Sequence, residues 1–153
     1  MAALELAPFV TSSRPWRYPS IRATETQNAL IALVNVPHGE TTGSLRPLGL
    51  AALGAFLMAR GINATGFDFS DSRREPEDLV EHFGLAKFPV VGLSFYNSNA
   101  TKAFRLARAI KRHRPSCLII AGGPHASATH TTICRAHPEI DIVVRNEGEE
   151  TLL

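Results

Sequence analysis

The sequence predicts an α/β fold, an open, doubly wound sheet of five parallel strands. Short, nearly continuous apolar runs recur along the chain, helix-length segments separate them, and Gly or Pro marks most of the junctions. Runs apolar on both sides suit strands covered by helices on both faces, and regular strand–helix alternation is the mark of a parallel sheet. Crossovers in such sheets are right-handed. Their ligands sit beyond the carboxyl ends of the strands, near a switch in strand order. Functional residues are therefore sought just after each strand.

Each element has a local reason. Residues 1–28 hold Pro8, Pro15 and Pro19, a Thr11-Ser12-Ser13 cluster and neither a helical nor an alternating period. They read as a flexible leader, and residues 29–153 as the domain. Within the leader, Arg14-Pro15-Trp16-Arg17-Tyr18-Pro19 joins aromatics to charge as docking peptides do; an extended tail on the domain surface is the simpler reading. Residues 29–36 (ALIALVNV), bounded by Pro37, form the first strand. Residues 48–60 are apolar on almost every side and long enough for a helix, with Gly61 as its stop. Residues 62–69 are the second strand. Pro76 suits the first position of a helix running to Lys87. Residues 89–95 (PVVGLSF) are the third strand. From 99 to 113, Ala100, Ala103, Phe104, Ala107 and Ile110 recur three or four apart, the period of an amphipathic helix. Residues 117–121 are the fourth strand, 127–136 a helix and 140–144 the fifth strand. Residues 146–153 read as a loop opening a further helix that the sequence leaves incomplete.

Composition narrows the function classes. With 153 residues, 44% hydrophobic and 20% charged, the chain is one globular domain and too apolar for disorder. A net charge of +2 argues against a dedicated nucleic-acid binder. The longest apolar stretch, residues 48–59, is too short to cross a bilayer, and no signal-peptide pattern opens the sequence, so a cytoplasmic setting is expected. Cys117 and Cys134 make neither a disulfide framework nor a CxxC metal site.

The loops after the strands carry individually weak signals. Gly39-Glu40-Thr41-Thr42-Gly43-Ser44 lacks the lysine and the spacing of a phosphate loop, and no GxGxxG follows the first strand. Asn35 is not the acid a magnesium-binding receiver would need. Gly92-Leu93-Ser94 is not a hydrolase elbow, because Tyr96 stands where the second glycine belongs. Asn97 to Asn99 suit capping of the next helix. Gly122 and Gly123 let the backbone approach a bulky planar ligand, and the acidic turn Glu147-Gly148-Glu149 sits at a helix start. His125, His130, Cys134 and His137 raise a zinc site, since 130, 134 and 137 share one helical face. Core packing of Ile133, Cys134 and Ala136 is the stronger reading. Cys117, opening a strand, reads as a small buried hydrophobe. Lys102, Arg105, Arg108, Lys111 and Arg112 read as a solvated helix face, with contact to a partner domain as the functional alternative.

As an ordered set these loops resemble a family. The set is an apolar strand ending in Asn35-Val36-Pro37, then Pro47-Leu48-Gly49-Leu50, Asp68 closing the second strand, Gly92-Leu93-Ser94, Gly122-Gly123-Pro124-His125-Ala126, and Ile140-Asp141 followed by Val143-Val144 and Glu147-Gly148-Glu149. It is similar to the cobalamin-binding domain that precedes the catalytic barrel of cobalamin-dependent radical S-adenosylmethionine enzymes. The resemblance implies a flavodoxin-like or Rossmann-like sheet holding cobalamin over its strand ends. It implies that Ser94 and the turn at Tyr96 meet the nucleotide tail, and that Gly122 and Gly123 give that tail room. Pro124 and His125 would lie at the corrin side or pocket rim, Glu147 and Gly148 in the same groove, and Leu48 and Gly49 where the first helix meets the cofactor. The implied partner is a radical S-adenosylmethionine domain or protein, in cis or in trans, performing methyl transfer or related radical chemistry.

The sequence departs from that pattern in three ways. It has no CxxxCxxC, so it cannot hold the iron–sulfur cluster of that chemistry. Asn146 stands where glycine is common, although Asn tolerates positive φ. The last helix has only begun at Leu153. The Asp-x-His motif of the methionine-synthase and mutase type is absent. His38 therefore reads as an exposed loop residue rather than a cobalt ligand, and bound cobalamin is expected without histidine ligation. The competing function classes are a cofactor-free α/β interaction or accessory protein, and an independent enzyme with a metal or nucleophilic site.

Overall fold

A computed structural model describes residues 31–38 and 47–152. The leader with its aromatic-basic segment and the loop 39–46 lie outside the described residues. Five strands form one parallel sheet: β1 (Ile31–Asn35), β2 (Ala64–Asp68), β3 (Val90–Ser94), β4 (Leu118–Gly122) and β5 (Ile142–Val143). Their order is β2-β1-β3-β4-β5. The chain leaves β1 toward β2 and returns on the other side as β3, so the carboxyl ends of β1 and β3 form the switch point at which ligands bind in such sheets.

Among the described residues four α-helices connect the strands: α1 (Leu48–Met58), α2 (Pro76–Phe83), α3 (Ala100–His113) and α4 (Pro124–Ala136). Strand alternation divides the core into two layers. Ile31 and Leu33 pack with Leu50 and Leu57 of α1 on one face. Ala32, Val34 and Val36 pack with residues of α2, α3 and α4 on the other. Among the described residues α1 is the one helix on its face, and Leu152 joins that layer from the final segment.

The boundaries differ from expectation at several elements. Helix α2 stops at Gly84, which takes the left-handed conformation (φ 64°), and residues 85–87 continue as a 3-10 turn. Helix α4 begins at Pro124 rather than Ser127, with Pro at its first turn. It kinks at Thr129, whose Oγ1 donates to the carbonyl of His125 at 2.8 Å. Strand β5 is two residues long instead of five. Before it, the Asp141 carboxylate accepts the Ile119 N–H at 2.7 Å and pairs with Lys111 at 2.8 Å, taking the place of a ladder bond. A short edge strand of this kind offers little template for further pairing.

The remaining sequence alternatives resolve in the same frame. Arg105 pairs with Glu75 and Glu77, Arg108 with Glu139, and Lys111 with Asp141, so these three charges of the α3 face are engaged within the chain. Cys117 is buried, and burial pushes its thiol pKa up. Cys134 and Ala136 are exposed, contrary to the expected core packing; Ile133 alone of that trio is buried. His137 stacks on Phe104 (3.5 Å between centroids), which takes it out of a zinc cluster with His130 and Cys134. Among the described residues no three His, Cys, Asp or Glu side chains come together to hold a metal. Among those residues, too, no helix is long and apolar enough to cross a membrane.

Candidate functional site

On the α1 side of the sheet the side chains become small or polar toward the carboxyl ends. β1 runs Leu33 then Asn35, β3 runs Gly92 then Ser94, and β4 runs Ile120 then Gly122. The missing side chains leave a cavity of about 880 Å³ between the sheet, α1 and the segment after β5. Leu50, Leu53 and Val144 make its walls largely apolar.

The two glycines of the fourth loop contribute differently. A Cβ placed on Gly122 would meet nothing within 4 Å, so that position opens onto free space at the cavity. Gly123 has φ 92°, and a Cβ there would lie 2.9 Å from the Phe95 carbonyl oxygen and 3.1 Å from Ser94 Oγ. Gly123 thus lets the β4–α4 turn press against the end of β3, and Gly122 leaves the room beside it.

Nine of the ten residues expected at the site line this cavity. Leu48, 63% exposed, and Gly49 stand at the start of α1. Ser94 and Tyr96 border it from the β3 loop, Gly122, Gly123 and Pro124 from the β4 loop, and Glu147 and Gly148 from the last segment. His125 is not in the lining; its ring packs against Phe95 with 5.9 Å between centroids. Asn146 adopts φ 59°, the left-handed turn that its amide tolerates, and its backbone N–H donates to Ser127 Oγ at 3.0 Å. That bond ties the last loop to α4 across the mouth of the cavity.

Three residues at or beside the cavity carry no implied cofactor role in the sequence. Asn35 is 3% exposed and lies in the cavity wall. Strand alternation from Leu33 places it on this face, a signal present in the sequence. His38 also lines the cavity and is half-buried rather than exposed. Asn99, expected as a helix cap, is buried and makes no capping bond to α3. Its Oδ1 accepts the Tyr96 N–H at 2.7 Å, and its Nδ2 donates to the Val36 carbonyl at 2.9 Å. These bonds clamp the β1 and β3 loops together and fix the amide's orientation.

The same Nδ2 lies 3.5 Å from Nδ1 of His38. Only donors are available on that amide nitrogen, so Nδ1 is the acceptor and the neutral ring carries its proton on Nε2. Burial holds the His38 pKa below its ordinary value, against the pull of Asp68. Metal-ligating histidines instead donate their second ring N–H to an acceptor. The Asn99 contact is the wrong kind for that role.

A doubly wound sheet with a glycine-lined, largely apolar cleft at its switch point defines a domain that holds a bulky cofactor over the strand ends. The B12 binding domain family matches residues 35–153, and the chain belongs to that family. The open space at Gly122, the apolar walls and a Ser94 hydroxyl that makes no hydrogen bond among the described residues fit a bulky cofactor such as cobalamin. Among its relatives is the 2-(S-pantetheinyl)-carbapenam-3-carboxylate methyltransferase of Streptantibioticus cattleyicolor, 34% identical over 91 residues, covering 56% of this chain and 13% of that protein. The cobalamin-dependent radical SAM methyltransferase TokK of Streptomyces tokunonensis is 32% identical over the same length, with the same coverage of each. An anaerobic magnesium-protoporphyrin IX monomethyl ester cyclase of Synechocystis is 30% identical over 131 residues, 80% of this chain and 26% of that one. The radical S-adenosylmethionine methyltransferase TsrM from Kitasatospora setae, solved with cobalamin and a [4Fe-4S] cluster, shares the fold with a TM-score of 0.68 at 20% identity. The match covers 81% of this chain and 25% of TsrM. This chain thus spans from 13% to 26% of these curated relatives.

Proposed function

We propose that this chain, with residues 29–153 as the folded unit, holds cobalamin and presents its corrin to a radical S-adenosylmethionine catalytic domain. The observation that carries the reading is the cavity at the switch point, which the absent side chain of Gly122 opens. Bound cobalamin supplies a cobalt centre suited to carrying a methyl group. This chain's own residues hold and orient. The apolar walls from Leu50, Leu53 and Val144 enclose the tail, and Ser94 gives it a hydroxyl partner. Tyr96 borders the tail beside Ser94, Leu48 and Gly49 meet the cofactor at the start of α1, Pro124 lies at the rim on the corrin side, and Glu147 and Gly148 close the groove. The sequence has two cysteines and no CxxxCxxC, so the catalytic cluster belongs to polypeptide outside these residues, in cis or on a partner. Both cysteines are free, which supports a reducing, cytoplasmic setting.

A ligand that binds only the native state raises its stability, by about 2.7 kcal/mol at a free concentration one hundred times Kd. Hydroxocobalamin is therefore expected to raise the thermal midpoint of the chain by several degrees. An unchanged midpoint at saturating corrin would favour the cofactor-free interaction protein instead. The acceptor role of His38 Nδ1 carries a second expectation. His38→Ala leaves the visible spectrum of the bound corrin unchanged, without a histidine–cobalt signature in either protein. A marked spectral change in that variant would overturn the assignment of His38 as a non-ligand.

A further inference from the structure

Asn35 is a buried amide with one side satisfied and one side open. Its Nδ2 donates to Asp68 Oδ1 at 2.9 Å, across the register pair Asn35–Asp68 of β1 and β2. A carboxylate only accepts, so the amide nitrogen must face β2 and the carbonyl oxygen must face away from it. The Ser70 N–H also donates to Asp68 Oδ1, at 3.1 Å, and fixes the carboxylate in turn. On its other side Asn35 is in register with Ser94, at the switch point, and lines the cavity. No described residue donates to its Oδ1. A buried carbonyl without a donor is costly; Leu33, Leu50 and Leu53 of the wall can supply none, and the Ser94 hydroxyl, in register on β3, makes no hydrogen bond to it among the described residues.

We propose that Asn35 recognises the cofactor, its side-chain carbonyl accepting a hydrogen bond from a hydroxyl or amide N–H on the nucleotide tail, and that Asp68 is the positioning residue that aims it. The proposal rests on the cobalamin reading above. It assigns the donor to the tail because Asn35 is buried within the cavity, where only the part of the ligand that enters between sheet and α1 can reach.

The test is equilibrium titration of the 153-residue chain with hydroxocobalamin and, separately, with cobinamide, which lacks the nucleotide. Wild type, Asn35→Leu and Asp68→Asn are compared, with thermal midpoints of the ligand-free proteins confirming that each is folded. Wild type is expected to bind cobalamin more tightly than cobinamide. Asn35→Leu should weaken cobalamin binding by roughly 10- to 30-fold and leave cobinamide within about twofold, the loss expected for a buried acceptor interaction. Asp68→Asn, which keeps the acceptor but frees the amide to turn over, should show the same split at roughly fivefold. If Asn35→Leu does not fold, Asp68→Asn decides: the split supports the proposal, and no loss or an equal loss overturns it. A folded Asn35→Leu that binds both ligands like wild type, or loses both equally, also overturns it. Failure of wild type to bind either corrin would instead overturn the cobalamin reading itself, and this proposal with it.

Discussion

Gly122→Leu is expected to weaken cobalamin binding by at least about 100-fold, or 2.7 kcal/mol, while leaving the fold intact. The position is extended at the end of β4, and an added Cβ meets nothing within 4 Å. The leucine side chain therefore grows into the cavity and not into the core. No backbone shift is required, so the ligand-free thermal midpoint should stay within a few degrees of wild type. Titration with hydroxocobalamin beside a thermal melt checks both halves. Tight binding by this variant would mean that the cofactor does not use the cavity.

The neighbouring residue should behave in the opposite way. Gly123→Ala is expected to destabilise the chain by roughly 3 kcal/mol, because a residue at φ 92° and ψ 179° occupies a region open essentially to glycine alone. Its Cβ would also press to 2.9 Å from the Phe95 carbonyl oxygen and 3.1 Å from the Phe95 nitrogen, backbone atoms that cannot swing aside. Chemical denaturation read by circular dichroism measures the loss. A change below about 0.5 kcal/mol, the range of an ordinary surface substitution, would contradict the close approach of the β4 turn to β3. Two adjacent glycines thus separate the two requirements of the site: one supplies space for a ligand and the other supplies the turn that frames it.

Much of this was legible in the chain itself. Apolar runs such as 29–36 and the helical spacing from Ala100 to Ile110 are local patterns, and local patterns specify strands and helices well. The loops after β1, β3, β4 and β5 are legible as candidate site segments because a parallel sheet puts its ligands there. What local patterns do not report depends on contacts far apart in sequence. Asn99 reads as a cap until Val36 and His38 are seen beside it, 63 and 61 residues away. His38 reads as an exposed loop residue until Tyr96 is placed 5.2 Å from its ring. His125 belongs to the same short motif as Gly122 and Pro124, yet helix α4 starts early enough to carry it to Phe95 instead of the cavity lining. The full length of β5 failed for a similar reason: the Asp141 side chain took over a backbone role that no apolar pattern reports.

If the cavity at the β1–β3 switch point holds cobalamin, corrin must travel with the folded chain. Gel filtration of the chain after incubation with hydroxocobalamin, monitored for corrin absorbance, tests it most directly. Corrin is expected to co-elute with folded wild-type protein near one equivalent and to be absent from the Gly122→Leu peak. Wild-type protein that elutes folded and colourless, or a Gly122→Leu peak that carries as much corrin as wild type, would contradict it.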